Sequence, residues 1–139
     1  MDREEIKRLL PHREPMLLLD TFEREDDGRC RATYRIPEDA FFCQGHFPGQ
    51  PIVPGVILCE MMAQACLCLV GNELAGRIAV YRTIDGVKFR SAVRPGDLCE
   101  ITGKILERKA GLFLCEASVA VAGRRCCSGT LSFALVNLS

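Results

Sequence analysis

Apolar residues fall on every side of residues 56–70, and only Glu60 and Gln64 interrupt them. A helix that is apolar all round is a helix buried all round. Proline suits the first turn of a helix and glycine its end, so Pro54 and Gly71 set the expected boundaries. Such a helix is on the order of 25 Å long, and another part of the chain must cover it.

Strict alternation of apolar and polar residues predicts half-covered strands elsewhere in the chain. Turn residues separate the later alternating segments, which is typical of consecutive antiparallel hairpins. The expected strands cover residues 16–22, 29–36, 77–82, 83–93, 98–108, 112–122 and 125–136, with an irregularity near residues 85–86. One long buried helix against a curved antiparallel sheet is an α+β arrangement.

The N-terminus predicts a short amphipathic helix. Asp2, followed three residues later by Glu5, has the pattern of a capping box. Pro11 ends the helix, because the residue before a proline is pushed out of the α region. His12 falls in the loop that follows.

Length and charge limit the classes of function. A chain of 139 residues predicts a single domain over residues 1–139. Basic and acidic residues number 18 each, so the balanced charge argues against a nucleic-acid partner. No apolar run reaches the ~20 residues that span a bilayer, so membrane insertion is not expected. The acidic N-terminus does not resemble a signal peptide, which predicts a cytoplasmic protein.

Nine cysteines, mostly inside apolar runs, are expected to be reduced core residues. The pairs Cys66/Cys68 and Cys126/Cys127 have poor spacing for zinc, and neither has a second pair to complete a site. We therefore expect no metal site.

The candidate chemistry begins in the loop of residues 45–55, which contains three prolines and three glycines. His46 lies in this loop, and its imidazole can act as a base near neutral pH. The alternative is a surface or capping histidine without a chemical role. Cys43 is the nearest cysteine, but no serine or cysteine stands beside an evident base.

Glu60 is the single acid in the apolar helix. Burying an ionised carboxylate is unfavourable, so this setting predicts a raised pKa and a carboxyl group ready to donate a proton. Gln64, one turn on, is placed to orient it. Gly55 offers a free N–H at the helix N-terminus to a carbonyl oxygen. A base, an acid and an N–H donor together predict proton removal beside a carbonyl with acid-assisted loss of a leaving group.

Two of these residues also allow a plainer interpretation. Glu60 is equally compatible with a polar seam or an oligomer interface, and Gly55 with a turn that only a glycine permits.

Several motifs, in order along the chain, resemble those of the 3-hydroxyacyl-[acyl-carrier-protein] dehydratases of type II fatty acid synthesis. The resemblance runs from about residue 9 to residue 136. The motifs are LPHREPMLLLD at residues 10–20, GHFPG at 45–49, PGV at 54–56, Glu60 with Ala63 and Gln64, and IDGVKFR at 84–90 with RPGD at 94–97.

The resemblance implies a hotdog fold, in which an antiparallel sheet wraps a long helix. It implies a homodimer, assembled further in many members into a trimer of dimers, with active sites at the dimer interface. It implies that water is removed from a (3R)-3-hydroxyacyl chain on acyl carrier protein, giving the trans-2-enoyl thioester. No metal or organic cofactor is implied, and the acyl chain enters an apolar tunnel.

The same resemblance implies residue roles. His46 takes the C2 proton, and Glu60 from the other protomer assists departure of the 3-hydroxyl group. The Gly55 N–H holds the thioester carbonyl, so Gly55 and Gln64 are the expected substrate-binding residues. Glutamate at position 60, where the dehydratase–isomerases carry aspartate, favours the simple dehydratase.

Some positions depart from the family pattern or are open to two interpretations. The approach to the histidine is one residue longer than usual, so a bulge at Cys43 is expected. Tyr81 lies near the place of a tunnel-gating tyrosine, or is a plain strand residue. Lys88, Arg90 and Arg94 either meet the acidic carrier protein or form a solvated face.

Two other functions remain open from the sequence. One is a hotdog thioesterase, which would hydrolyse the thioester with a carboxylate and would not need His46. The other is a non-catalytic acyl-binding protein of a specialised lipid or polyketide pathway, against which the joint presence of His46 and Glu60 argues.

Overall fold

A computed structural model describes residues 1–137, which form an antiparallel sheet with a long helix packed against one face. The six strands lie in the order β1-β2-β4-β5-β6-β3. The predicted α+β architecture is confirmed; residues 138 and 139 of the predicted domain lie outside the described residues. The helices are α1 (Arg3–Leu9), α2 (Gly55–Leu69) and α3 (Gly71–Leu74), and the strands are β1 (Thr21–Arg24), β2 (Cys30–Arg35), β3 (Ile78–Phe89), β4 (Leu98–Lys109), β5 (Leu112–Val121) and β6 (Arg124–Val136).

Helix α2 is the buried helix that the sequence predicts. Every residue from 58 to 69 is buried except Glu60, whereas Val56 in the first turn is 74% exposed. Gly71 is the first residue of α3, and only Val70 separates it from the end of α2. A Cβ at Gly71 would lie 2.8 Å from the Leu9 side chain, so the close approach of α1 requires glycine. Within residues 1–137, no helix is both long enough and apolar enough to cross a bilayer.

The N-terminal helix α1 also agrees with the prediction. The Glu5 N–H donates to Asp2 Oδ1 at 2.9 Å, and the Asp2 N–H donates to Glu5 Oε1 at 3.2 Å, which completes the capping box. The helix ends at Leu9, before Pro11.

The strand predicted over residues 16–22 is wrong for most of its length, because only residues from Thr21 onward pair with β2. Other groups satisfy the backbone of the preceding residues. Gln64 bonds the carbonyl of Met16 and the N–H of Leu18, and the Arg3 guanidinium donates to the Leu19 carbonyl at 2.8 Å. An apolar run can therefore be buried without joining the sheet.

The predicted hairpins are confirmed: β4 pairs with β5 and β5 with β6, all antiparallel. The two strands predicted over residues 77–93 form one strand, β3, which ends at Phe89. Its register against β6 shifts between Tyr81 and Thr83, and again between Asp85 and Lys88, where the irregularity was expected.

Strand β3 is an edge of the sheet, and part of its helix-facing side is uncovered. Tyr81, Ile84 and Phe89 lie opposite β6 residues that are at most 2% exposed. Directly opposite residues share one face of an antiparallel pair. Yet these three side chains are 40%, 48% and 57% exposed, respectively. The single chain therefore leaves part of its inner face open beside the edge strand.

Candidate active site

The carboxylate of Glu60 lies where α2, β3 and the loop after α1 meet. Its Oε2 accepts a hydrogen bond from Gln64 Nε2 at 3.0 Å and lies 3.5 Å from His12 Nε2. Its Oε1 accepts a hydrogen bond from the Tyr81 hydroxyl at 3.1 Å. Glu60 is thus a partly buried carboxylate faced by groups from three parts of the chain.

These contacts shift the pKa of Glu60 in the direction opposite to the one predicted from the sequence. Burial raises the pKa of this carboxyl, but the neighbouring His12 and the hydrogen bonds from Gln64 and Tyr81 lower it by more, so the net direction is down. Donors favour the charged form of an acid. The expectation of a raised pKa is therefore wrong, since it counted the apolar neighbours along the helix but not the polar groups that face it.

Gln64 fixes the position of Glu60. Its side chain is fully buried, its Oε1 accepts from the Leu18 N–H at 2.8 Å, and its Nε2 donates to the Met16 carbonyl at 2.7 Å as well as to Glu60. Both amide hydrogens are therefore used, and the side chain is held between helix and loop. The predicted orienting role agrees with this geometry; binding of substrate by Gln64 stays a prediction.

His46 is held by its own loop. Its backbone N–H donates to the Cys43 carbonyl at 3.1 Å, and its carbonyl accepts from the Ile52 N–H at 2.8 Å. Ring atom Nδ1 lies 3.1 Å from the Ile52 carbonyl oxygen, which can only accept. Nδ1 therefore carries the proton, and the lone pair of Nε2 is free to act as a base.

His46 and Glu60 are not brought into contact within one chain. Among the described residues, the polar partners of the Glu60 side chain are His12, Gln64 and Tyr81. A small cavity of about 30 Å³ beside Glu60 is lined by His12, Glu60, Ala63, Leu67, Ala79, Val80, Tyr81 and Phe133, and not by His46.

Gly55 is the first residue of α2, and no side chain caps this helix end. A Cβ at position 55 would lie 2.7 Å from the Phe89 ring, so a larger residue would displace that ring and glycine leaves room for it. The plainer interpretation of Gly55 thus has direct support, and its role as an N–H donor to a thioester stays a prediction.

Two comparisons identify the family. Residues 22–130 match the ApeI-like family model, described as ApeI dehydratase. The curated 3-hydroxyacyl-[acyl-carrier-protein] dehydratase FabZ of Pseudothermotoga lettingae is 38% identical over 131 residues, which cover 94% of each chain. The chain belongs to the 3-hydroxyacyl-[acyl-carrier-protein] dehydratase family.

Solved structures confirm the hotdog fold of this dehydratase-family chain. The dehydratase heterocomplex ApeI:P from Xenorhabdus doucetiae superposes with a TM-score of 0.82 and 22% identity, covering 95% of this chain and 91% of that one. The fluoroacetyl-CoA thioesterase FlK superposes with a TM-score of 0.68 and 17% identity, covering 79% of this chain and 86% of that one. Dehydratases and thioesterases share the fold, so the fold alone does not separate these two functions.

The structure also gives the surroundings of two further residues of this dehydratase-family chain, Cys43 and Tyr81. Cys43 ends a 3₁₀ helix (Phe41–Cys43), is buried, and has a pKa raised by burial, which disfavours the reactive thiolate. Burial also raises the pKa of Tyr81, as do the charge and hydrogen bond of Glu60, so Tyr81 is a hydroxyl donor to Glu60.

Sequence reasoning missed His12, which it placed in a connecting loop. The signal was present, because His12 belongs to the LPHREPMLLLD motif that carries part of the family resemblance. No group of three or more His, Cys, Asp or Glu side chains in residues 1–137 is arranged to hold a metal ion.

Proposed function

We propose that this chain removes water from a 3-hydroxyacyl group carried on acyl carrier protein and gives the trans-2-enoyl thioester, as the names of its relatives describe. The observation that carries the proposal is that a chain of this family presents both a histidine with a free Nε2 and a carboxylate held by donors. A base and an oriented carboxylate are the two groups that a β-elimination beside a thioester requires.

In this mechanism, Nε2 of His46 takes the proton from C2 of the acyl chain. The C2–H electron pair forms the C2=C3 bond, and the C3–O bond breaks. The Gly55 N–H stabilises negative charge on the thioester oxygen. Because the pKa of Glu60 is lowered, Glu60 accepts a hydrogen bond from the 3-hydroxyl group and orients it. The proton taken by His46 then passes to the departing oxygen, so water leaves and the proton balance closes.

We assign the complete site to a homodimer in which His46 of one protomer faces Glu60 of the other. The separation of the two residues within one chain and the uncovered inner face of β3 both support this arrangement. Further assembly into a trimer of dimers, a cytoplasmic location and a single domain over residues 1–139 stay predictions.

The direct test offers a 3-hydroxybutyryl or crotonyl thioester and follows the enoyl absorbance, with free thiol measured in parallel. We expect reversible appearance and loss of the enoyl signal without thiol release. Thiol release with no enoyl change would make the protein a thioesterase. Binding of the acyl ligand without any turnover would make it a non-catalytic acyl-binding protein.

The outer face of the sheet provides a surface for the acidic carrier protein. Lys88 and Arg90 line an open groove of about 370 Å³. Arg29, Lys104 and Arg125 also line it, whereas Arg94 does not. Lys88 and Arg90 flank Phe89 in the sequence, and the Phe89 ring lies against Gly55, so the basic groove lies on the opposite face of the sheet from the start of α2. Charge complementarity of this kind speeds and orients docking.

The double substitution Lys88→Glu and Arg90→Glu is expected to raise the KM for carrier-protein-bound substrate about tenfold. Activity on a thioester of N-acetylcysteamine, which has no protein carrier, should stay within about twofold of the unmodified enzyme. Arg94→Glu is the matched control, because Arg94 lies outside the groove. An equal loss on both substrates would assign these residues to the site and not to docking.

A further inference from the structure

The LPHREPMLLLD motif is not used by the proposed reaction, yet the structure connects it to Glu60. The motif forms the loop between α1 and β1, and Gln64 fastens it to α2 through Met16 and Leu18. From this loop the His12 ring reaches Glu60, with Nε2 lying 3.5 Å from Oε2. A segment 48 residues before Glu60 in the chain therefore supplies a group to the candidate site.

Hydrogen bonds from Arg13 hold the backbone around His12 in place. Arg13 Nη1 donates to the His12 carbonyl at 2.6 Å and to the Leu10 carbonyl at 2.8 Å, and Arg13 Nη2 donates to the Lys7 carbonyl at 3.2 Å. These bonds tie the backbone at His12 to the C-terminal end of α1. The ring lines the same small cavity as Glu60 and Tyr81.

The buried ring nitrogen of His12 indicates its tautomer. Nδ1 is buried and has no hydrogen-bond partner within residues 1–137. A buried N–H without an acceptor is unfavourable, so the neutral ring favours the tautomer with its proton on Nε2, and the charged ring keeps a proton on the same nitrogen. Nε2 is the ring nitrogen that lies nearest the Glu60 carboxylate, 3.5 Å from Oε2, so its proton is available to that carboxylate.

We propose that His12 is a positioning residue of the dehydratase, which holds the Glu60 carboxylate ionised and oriented for the 3-hydroxyl group of the substrate. The catalytic role of His12 rests on the proposed function, whereas the contact between His12 and Glu60 does not. His12 touches Glu60 and acts on the reaction through Glu60.

Other groups also face Glu60, and their effects on the Glu60 pKa must be distinguished from the effect of His12. They are Gln64 and Cys59 from α2 and Tyr81 from β3. In the proposed dimer, the partner's His46 faces it as well. Since His12 and the other two donors lower the pKa of Glu60, loss of His12 alone raises that pKa toward the ordinary range.

The first experiment titrates the Glu60 carboxyl carbon by ¹³C NMR in the full-length His46→Ala protein, with Glu60→Gln to assign the signal. His46→Ala removes the other histidine from the site. We expect His12→Phe, which keeps a ring but no donor, to move the Glu60 midpoint to higher pH. His12→Gln, which restores an N–H donor, should keep it near the parent value. Coincident midpoints for His12→Phe and its parent would overturn the inference.

The second experiment measures turnover with His46 intact. We expect His12→Phe to lower kcat by roughly 10- to 100-fold with little change in KM. His12→Gln, which restores an N–H donor, should restore kcat. A purely structural role would lower the melting temperature, and kcat would then not return in His12→Gln, which would also overturn the inference.

These two experiments distinguish the possible failures. If the unmodified protein forms no enoyl thioester but the Glu60 midpoint still moves in His12→Phe, the proposed function fails and the contact stands. If the unmodified protein turns over but neither the Glu60 midpoint nor kcat changes in His12→Phe, the inference on His12 fails alone. Should His12→Phe not fold, His12→Ala replaces it in both experiments, with the same expected directions.

Discussion

Replacing His46 with alanine is expected to abolish enoyl-thioester formation, and Glu60→Gln is expected to do the same, while both proteins keep their fold. His46→Ala removes the base that takes the C2 proton, and loss of one such proton transfer lowers the rate by roughly 10²–10⁴-fold. Glu60→Gln keeps the shape of the side chain but removes the charge that Tyr81, Gln64 and His12 surround. The measurement is initial rate by enoyl absorbance, with circular dichroism to confirm folding.

Mixing the two inactive variants tests whether the site is shared. In a mixed dimer with a shared site, the intact His46 of the Glu60→Gln protomer meets the intact Glu60 of the His46→Ala protomer. Random subunit exchange then makes half of the dimers mixed, each with one complete site, so about a quarter of the unmodified activity returns. No recovery after verified exchange would place both residues in one chain, and near-normal rates in either single variant would refute its assigned role.

Ile84→Glu is expected to dissociate the dimer and to make activity depend on protein concentration. Ile84 faces the helix side of the sheet and is 48% exposed, because none of residues 1–137 covers it. If a second protomer covers this face, it buries the new carboxylate with no opposite charge beside it. This weakens association of the two protomers by roughly 100-fold or more. Light scattering after gel filtration gives the dissociation constant, and dilution series give the activity.

Leu106→Glu is the matched control for this substitution. Leu106 is also an exposed apolar residue of a strand, but it lies on β4, which β5 and β6 separate from β3. We expect Leu106→Glu to stay dimeric at the concentrations where Ile84→Glu is monomeric. If Ile84→Glu remains a dimer with unchanged affinity, the uncovered face of β3 is not the interface.

Local patterning predicted most of the fold. The buried helix, the β4–β5–β6 hairpins and the α1 capping box each depend on residues close together in sequence, whose periodicity and turn chemistry determine them. The segment of residues 16–20 was the exception, because an apolar run does not say what satisfies its backbone. There a glutamine from the middle of α2 takes the place of a neighbouring strand.

The candidate site was predictable in its residues but not in its electrostatics. The sequence pointed to His46, Glu60 and Gln64, and it placed Glu60 on an apolar helix. The direction of its pKa depends on donors that lie 48 residues before it and 21 residues after it in the chain, at His12 and Tyr81. Such contacts arise from the way the sheet and the first loop close around α2, which no local pattern encodes.

The buried cysteines determine how readily this protein reacts with oxidants and alkylating reagents. All nine are buried and unpaired. Burial raises the pKa of Cys30, Cys68, Cys99 and Cys127 to about 12, so their thiolate forms are scarce at neutral pH. While the chain is folded, these four thiols therefore react slowly with oxidants and alkylating reagents. Oxidative damage must therefore wait for local or global opening, which makes the conformational stability of the sheet and helix the protection against it.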